Sequence, residues 1–307
     1  NTLKKWHVAN WTFTSASLGP KISFVKRFIN TYLNADGSRF TDISGYETME
    51  FPDEVKNRDK RLSQTIRLGS YKRSDGTPAP PDFLYTFTGY HILKFTTDDK
   101  SLDGIQGNFN SIPRMRYAEV LLNYAEAKAE LGSFTTDDWD KTIGLLRKRA
   151  GITDISMPTS IDTYLQLNFF NDINSIPILE VRRERGIELA GEGFRYDDLK
   201  RWKMGELLEK EYDGMYVSEM NKLMDLNEDG KPDVMFVEQM PSSPVPGVVY
   251  VVVDNAAIKL SEGNKGKIIW RANIERDYSD KKYYAPIPYN ELILNKNLVQ
   301  NEGWDHP

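Results

Sequence analysis

The chain has 307 residues and a formal net charge of −5, which argues against nucleic-acid binding as its main role. It contains no cysteine, so disulfides and thiolate metal sites are excluded, and no apolar run reaches the roughly 20 residues of a membrane span. Aromatic residues make up 12% of the composition, with 16 Tyr and 6 Trp, which supplies many surfaces for stacking.

The first 20 residues place Trp11 among Ser, Thr, Asn and Gly, and we predict loop or extended chain there. Apolar residues recur at helical spacing through residues 24–33, and the Asn-Ala-Asp-Gly that follows predicts the end of this helix. The sequence begins without an initiator Met, so we expect a fragment or processed form with further residues upstream.

Residues 40–112 are irregular, rich in turn residues and crowded with aromatics. A loop-rich stretch of this length is either disordered or functional, and the aromatics favour the ordered, functional interpretation. Sugar rings stack their C–H faces on Trp or Tyr, although most aromatics of any protein belong to its core. The candidate ligand platforms are those set among polar or turn residues: Trp11, Tyr46, Tyr71 and Tyr85.

Residues 114–131 carry the clearest helical pattern, with small apolar residues on one face and Gly132 after its end. A second helix is predicted over residues 138–149. Two antiparallel helices of this kind, at about 114–150, resemble one tetratricopeptide unit. Because a lone unit cannot close its own core, we expect another helix to pack against the pair.

Residues 178–203 predict a charged helix, a Gly-Glu-Gly break and a second short helix. Four carboxylates recur at i,i+4 spacing on one face: Glu180, Glu184, Glu188 and Glu192. The nearest basic partners in sequence are Arg182, Arg183, Arg185, Arg195 and Arg201. We interpret this face as a structural ladder of Arg–carboxylate pairs, because a carboxylate-bridged metal bundle also needs Glu-x-x-His pairs and His7, His91 and His306 lie at no such spacing.

An acidic loop follows in the β-rich part beyond residue 210. Its candidate Ca²⁺ ligands stand at positions 1, 3, 5, 7 and 9 of a calcium loop: Asp225, Asn227, Asp229, Lys231 (through its carbonyl) and Asp233. Gly230 occupies position 6, but Phe236 stands at position 12 where a bidentate Glu is usual. The alternative is a hairpin turn without metal, since Asn, Asp and Gly favour turns.

The sequence offers few candidate residues for nucleophilic catalysis, since the chain has no Cys, no Gly-x-Ser-x-Gly elbow and no phosphate-binding glycine loop. A glycoside hydrolase needs only two facing carboxylates, and with 45 acidic residues that alternative stays open. No catalytic residue is therefore assigned.

Several ordered motifs carry a family resemblance. Residues 184–202 contain Glu-Arg, Glu-Leu, Glu-Gly-Phe-Arg, Asp-Leu and Arg-Trp elements, and residues 116–132 match a second motif. Residues 283–304 contain Pro-Ile-Pro, Glu-Leu and Gln-Asn-Glu-Gly, with Asn-Lys where Asn-Pro is usual. Together these motifs resemble the SusD/RagB family of surface glycan-binding lipoproteins of Bacteroidetes-type outer membranes.

The resemblance implies a single, mainly α SusD-like domain over residues 1–307, with a TPR-like helical core, long loops and a few short strands, as the C-terminal portion of a longer protein. It implies a non-catalytic protein that captures oligosaccharide or polysaccharide for a SusC-like TonB-dependent transporter. It also implies a surface-exposed outer-membrane location through an upstream lipid anchor, with no nucleic-acid partner and no required cofactor. Alternatives are a family member that binds peptide or another nutrient, and a secreted all-α glycoside hydrolase.

Overall fold

A computed structural model of the chain describes residues 7–15, 20–104 and 109–304. The described residues form α1 Ala9–Thr14, α2 Lys26–Ile29, α3 Phe51–Glu54, α4 Lys60–Thr65, α5 Tyr117–Glu130, α6 Thr136–Lys141, α7 Ile143–Ala150, α8 Thr163–Asn168, α9 Ile176–Glu188, α10 Arg195–Arg201 and α11 Tyr289–Leu294. Their strands are β1 Tyr212–Val217, β2 Leu223–Met224, β3 Val234–Val237, β4 Val249–Val252, β5 Ile258–Leu260 and β6 Gly266–Trp270. None of these helices is long and apolar enough to cross a bilayer.

The helical half is organised around α9. A hydrophobic core in this half joins α5, α6, α7 and α9. It consists of small, aliphatic and aromatic side chains: Ala125, Ala129, Trp139, Ile143 and Val181. The expected helix pair is present, but Thr142, at φ −125° and ψ −92°, breaks its second member into α6 and α7. The additional helix that a lone pair needs is α9, while the tetratricopeptide likeness of the pair stays a prediction.

The strand-bearing half consists of two small sheets. One has the antiparallel order β1-β6-β5, and in the other β3 pairs antiparallel with β2 and parallel with β4. The largest core lies between these sheets and residues 29–90, where Phe51, Leu62 and Tyr90 are buried against Met215 and Phe236. The irregular stretch is therefore ordered by side chains that it sends into a sheet core.

Three local predictions need correction. Residues 9–14, expected as loop, form α1, because Asn10 and Thr14 are held by residues 97–104 of a distant segment. The predicted ladder helix ends at Glu188, so Glu192 lies beyond it. Gly191 and Gly193 adopt φ of 73° and 94°, which a residue with a Cβ rarely takes, and they redirect the chain into α10. The mainly α description holds for the helix-rich half and is incomplete for residues 212–270.

Candidate functional site

The carboxylate ladder of α9 is fully neutralised. Glu184 is 0% exposed, and its two oxygens lie 2.5 Å from Arg61 Nη1 and 3.1 Å from Arg147 Nε. Glu188 accepts bonds from Arg116 and Arg149 at 2.6 Å and lies 3.1 Å from Arg61. Glu180 and Glu192 are likewise bonded to Arg147 and Arg116, so every carboxylate of the ladder is paired with guanidinium groups, which favours a structural role over a metal site.

Electrostatics agree with a structural role. Burial alone raises the pKa of Glu184, but the Arg61 and Arg147 guanidiniums bring it below its usual value. Burial likewise raises the pKa of Glu188, and hydrogen bonds from Arg149 and Arg116 with the charge of Arg61 overcome this and lower it to about 2. Both side chains therefore stay charged acceptors at neutral pH, and neither is suited to proton transfer there.

Most of the ladder's partners come from distant segments that the sequence pattern did not single out: Arg61 on α4, Lys94, Arg116, Arg147 on α7 and Arg149. Of the five arginines expected from proximity, only Arg183 bonds to the ladder, at 2.9 Å from Glu180. Arg182, Arg185 and Arg201 pair instead with Glu130, Asp198 and Glu126. Arg195 forms no ion pair with the described residues and faces the rings of Phe169 and Trp202.

Two of the four candidate platforms, Tyr71 and Tyr85, share one polar neighbourhood. Burial raises the pKa of both hydroxyls, to about 12 for Tyr71, while Arg67 and Arg73 act on both in the opposite direction. One face of each ring is already covered, since the Arg67 guanidinium lies 5.4 Å from the Tyr71 centroid and His91 stacks 5.5 Å from Tyr85. Each tyrosine thus offers at most one face to a ligand.

This Tyr71–Tyr85 neighbourhood has two buried nitrogens without partners among the described residues, Arg67 Nε and His91 Nε2. Trp11 is half-buried and lies on α1. Hydrogen bonds of Asn10 and Thr14 connect α1 to residues 97–104, and Arg73 donates to Thr97 O in the same segment. Tyr71 and Tyr85 therefore share one neighbourhood, Trp11 lies on the helix bonded to residues 97–104, and Tyr46 lies beside a different feature.

Tyr46 stands beside a polar cleft of about 430 Å³. Its ring makes an edge contact with Tyr164 of α8, with centroids 6.1 Å apart, and its hydroxyl donates to Glu47 Oε1 at 3.3 Å. Burial and then the Glu47 charge raise the pKa of Tyr46 to about 12. The walls come from α2, the Tyr46–Thr48 turn, α8, residues 209–213 and β6, and they include Arg27, Asn30, Glu47, Tyr164, Lys210 and Asp213. We refer to this feature as the polar cleft.

The polar cleft contains both donors and acceptors. Asn30 is 6% exposed and donates through Nδ2 to the Tyr164 hydroxyl at 3.3 Å, while its Oδ1 has no partner among the described residues. Lys210 donates one bond to Asn168 O at 2.7 Å and has further protons to give. Burial raises the pKa of Asp213 despite Arg27 at 3.6 Å and Lys267 at 3.9 Å.

Sequence reasoning found none of the residues that line the cleft; Tyr46 lies beside it and contacts the lining residue Tyr164. Arg27, Asn30, Tyr164 and Asp213 lie on three elements separated by more than 40 residues, and no shared motif links them. The sequence offers only a weak signal for these four residues: each is a polar or aromatic residue near the end of a short helix or strand. Their meeting depends on the packing of α2 on β1 and on the hydrogen bond that the Tyr164 hydroxyl of α8 donates to Arg27 O of α2 at 3.0 Å.

The Asp225–Asp233 loop connects β2 and β3 as an antiparallel hairpin. Asp225 accepts bonds from the backbone amides of Asn227, Asp229 and Gly230, and Asp233 Oδ2 accepts one from Leu226 N at 2.7 Å. Burial, followed by the charges of Asp225 and Asp229, raises the pKa of Asp233 to about 6. Within the described part of the chain no three His, Asp or Glu side chains form a metal-holding group, so calcium binding through this loop stays a prediction.

Comparison with known proteins gives one family. The sequence profile of the SusD family matches residues 10–304. No curated protein matches the chain in sequence.

Solved structures agree on the fold. The chain superposes on a SusD-like protein from Bacteroides fragilis with a TM-score of 0.53 and 19% identity, over 91% of this chain and 46% of that one. A SusD-like carbohydrate binding protein from Bacteroides fragilis gives a TM-score of 0.58 and 24% identity, over 90% and 48%. The chain spans about half the length of these two relatives.

Proposed function

This chain belongs to the SusD family, and we propose that it is a non-catalytic protein that binds oligosaccharide in the polar cleft. A relative of the same fold is described as a carbohydrate binding protein. The family match supports carbohydrate binding as the general role, and the polar cleft is the site that we propose for it.

The observation that carries the proposal is the composition of the cleft. A sugar presents hydroxyls that both donate and accept hydrogen bonds around a ring with apolar C–H faces. The half-buried ring of Tyr164, which Tyr46 supports through an edge contact from outside the cleft, adjoins an unused acceptor at Asn30 Oδ1 and donors at Lys210 and Arg27. A site with a few convergent polar groups and aromatic walls is the usual arrangement for small-molecule recognition.

We further propose that the full-length protein is a lipid-anchored lipoprotein on the outer-membrane surface. There it passes oligosaccharide to a SusC-like TonB-dependent transporter during polysaccharide utilisation. The family resemblance supports this setting. Isolation of the native protein from outer membranes, together with a co-purifying transporter, is the expected result, and recovery as a free protein without such a partner would contradict it.

Binding is tested by calorimetry with a panel of neutral oligosaccharides and, for the peptide-binding alternative, a panel of short peptides. We expect an oligosaccharide to bind and Tyr164→Ala, which removes the aromatic ring of the cleft wall, to weaken binding about tenfold, since a stacked ring contributes about 1.4 kcal/mol. Tyr71→Ala is the matched control, because it also removes a half-buried tyrosine, and we expect unchanged affinity. If Tyr71→Ala abolishes binding while Tyr164→Ala does not, the site is the Tyr71–Tyr85 neighbourhood. Heat from peptides alone would favour the peptide alternative.

One feature favours a glycoside hydrolase as the second candidate function. Asp213, whose pKa is raised by burial, shares the cleft with Glu47, Glu209 and Glu211, and a carboxyl of raised pKa is what a general acid requires. Incubation with the oligosaccharide that binds is expected to release no reducing sugar. Release that disappears in Asp213→Asn would replace the binding proposal with the hydrolase.

A further inference from the structure

A second hollow of about 250 Å³ lies next to the polar cleft, between α2, α9, α10 and the chain leading into β1. Its walls are mainly apolar and include Phe24, Phe28, Phe169, Leu189, Phe194 and Leu207. We refer to it as the apolar cavity. The polar cleft and the apolar cavity share three wall residues, Arg27, Lys210 and Glu211, so they adjoin.

The apolar cavity is large for a packing defect. An engineered apolar cavity of about 150 Å³ binds benzene, whereas one water occupies about 30 Å³ of liquid. The volume of about 250 Å³ therefore fits a substituted six-membered ring or a short acyl chain. The apolar cavity opens to solvent, so a guest of this size can enter it.

Gly186 keeps the cavity open from the side of α9. Glycine is the least favourable residue of a helix interior apart from proline, and Gly186 lies within Ile176–Glu188. Close packing does not demand it here: an added Cβ would lie 3.4 Å from Phe28 Cε2 and 3.8 Å from Arg195 Nη1, which are ordinary contacts. The absent side chain leaves space in the cavity wall.

Arg195 differs from the other charged residues of the cavity wall in its pairing. The charge of Asp198 acts on Arg195, but the Asp198 carboxylate already forms ion pairs with Arg185 at 2.8 Å and with Arg201 at 2.8 Å. Among the described residues Arg195 has no ion pair, and its guanidinium faces the rings of Phe169 at 5.9 Å and Trp202 at 6.0 Å. An oxygen acceptor on a guest in the cavity would satisfy this donor.

We infer that the apolar cavity receives an aryl or acyl substituent carried by the sugar that occupies the polar cleft. The ligand class is thus a substituted glycan, with its polar ring in the cleft, its apolar group in the cavity and an acceptor oxygen towards Arg195. This inference rests on the proposed sugar binding and specifies its ligand.

The test compares methyl and p-nitrophenyl glycosides of one sugar, chosen as the sugar that the calorimetric panel identifies. The nitrophenyl ring carries acceptor oxygens, and burying it is expected to raise affinity at least about tenfold over the methyl glycoside. Gly186→Leu fills the cavity and should reduce the nitrophenyl affinity to that of the methyl glycoside. Methyl glycoside affinity should stay within about twofold of the unaltered protein, which also verifies that the variant is folded.

Gly186→Ala is the milder variant if Gly186→Leu does not fold, because its Cβ makes only ordinary contacts, and we expect a partial loss of the nitrophenyl preference. Equal affinities for both glycosides, or a preference that both variants leave intact, overturn the inference and leave sugar binding in place. If neither glycoside binds and no sugar of the panel binds, the proposed function is wrong, and this inference is wrong with it.

Discussion

The ladder face of α9 differs from the polar cleft and the apolar cavity in how completely its polar groups are paired. On the ladder, Glu184 and Glu188 are buried and each is met by two or more guanidiniums. In the hollows, Asn30 Oδ1 has no partner among the described residues and Arg195 has no ion pair there. Satisfied polar groups hold elements together, whereas buried groups without partners have bonds available for a ligand.

The residues that stabilise the fold and the residues proposed to bind the ligand also lie at different positions on α9. α9 supplies the ladder on one face, while Gly186 and Leu189 near its end contribute to the wall of the apolar cavity. Substitutions on the two faces of this region should therefore affect different measurements. The predictions below test that separation, beginning with the largest effect.

Glu184→Ala should lower the free energy of unfolding by about 3–5 kcal/mol, because it leaves Arg61 and Arg147 buried without their shared carboxylate. Urea denaturation followed by circular dichroism measures this change. Sugar affinity should be unchanged at temperatures where the variant is folded. A loss below about 1 kcal/mol would mean that the ladder is not the structural centre we describe.

Acid should weaken the ladder through Glu188. Its folded pKa of about 2 lies below the usual 4.5, so its contribution is present above about pH 4.5 and is lost as the pH falls towards 2. The shift corresponds to about 3 kcal/mol of unfolding free energy. Urea midpoints measured from pH 6 to pH 2 should show this decline, and Glu188→Gln should flatten part of it. A profile that Glu188→Gln leaves unaltered would contradict the assignment.

Calcium should stabilise the Asp225–Asp233 hairpin weakly if this loop binds the ion, since its shell lacks the Glu of position 12. With a dissociation constant near 1 mM, 10 mM Ca²⁺ would add about 1.4 kcal/mol to the free energy of unfolding. Calorimetry should record binding heat that Asp229→Ala removes. No heat at millimolar Ca²⁺ would leave the loop as a hairpin turn.

An exposed ion pair gives the smallest expected effect and a control for the ladder. Lys141 and Asp137 are each 68% exposed and lie four residues apart on α6. Lys141→Ala should change the free energy of unfolding by about 0.5 kcal/mol or less, because solvent screens the pair. A change as large as that of Glu184→Ala would show that burial does not distinguish the two pairs.

Local features of the fold could be predicted from the sequence. The helix over 117–130, the Gly-Glu-Gly break after α9 and the structural character of the ladder follow from spacing and residue type. The ladder's partners could not be predicted, because Arg61, Arg116 and Arg147 come from segments up to 127 residues away in sequence. Charge balance predicts that partners exist, but only packing selects them.

The candidate site was less accessible to prediction. Tyr46 was singled out because it lies among polar or turn residues and outside any apolar periodic run, whereas Asn30 and Tyr164 look like ordinary helix residues in sequence. Their role arises when α2 packs on β1 and Tyr164 of α8 forms hydrogen bonds with Asn30 and Arg27. Tyr71 and Tyr85 satisfied the same criterion as Tyr46, and only the structure reveals that Arg67 and His91 cover one face of each ring.

Hydrogen–deuterium exchange with and without bound oligosaccharide tests the separation of scaffold and site most directly. The account predicts that the amides of Arg182, Arg183 and Glu184 exchange slowly in both states. Amides of residues 26–30, 46–48, 164–168 and 209–213, which surround the polar cleft, should exchange more slowly once sugar binds. Protection confined to residues 67–91, or fast exchange along the centre of α9, would contradict it.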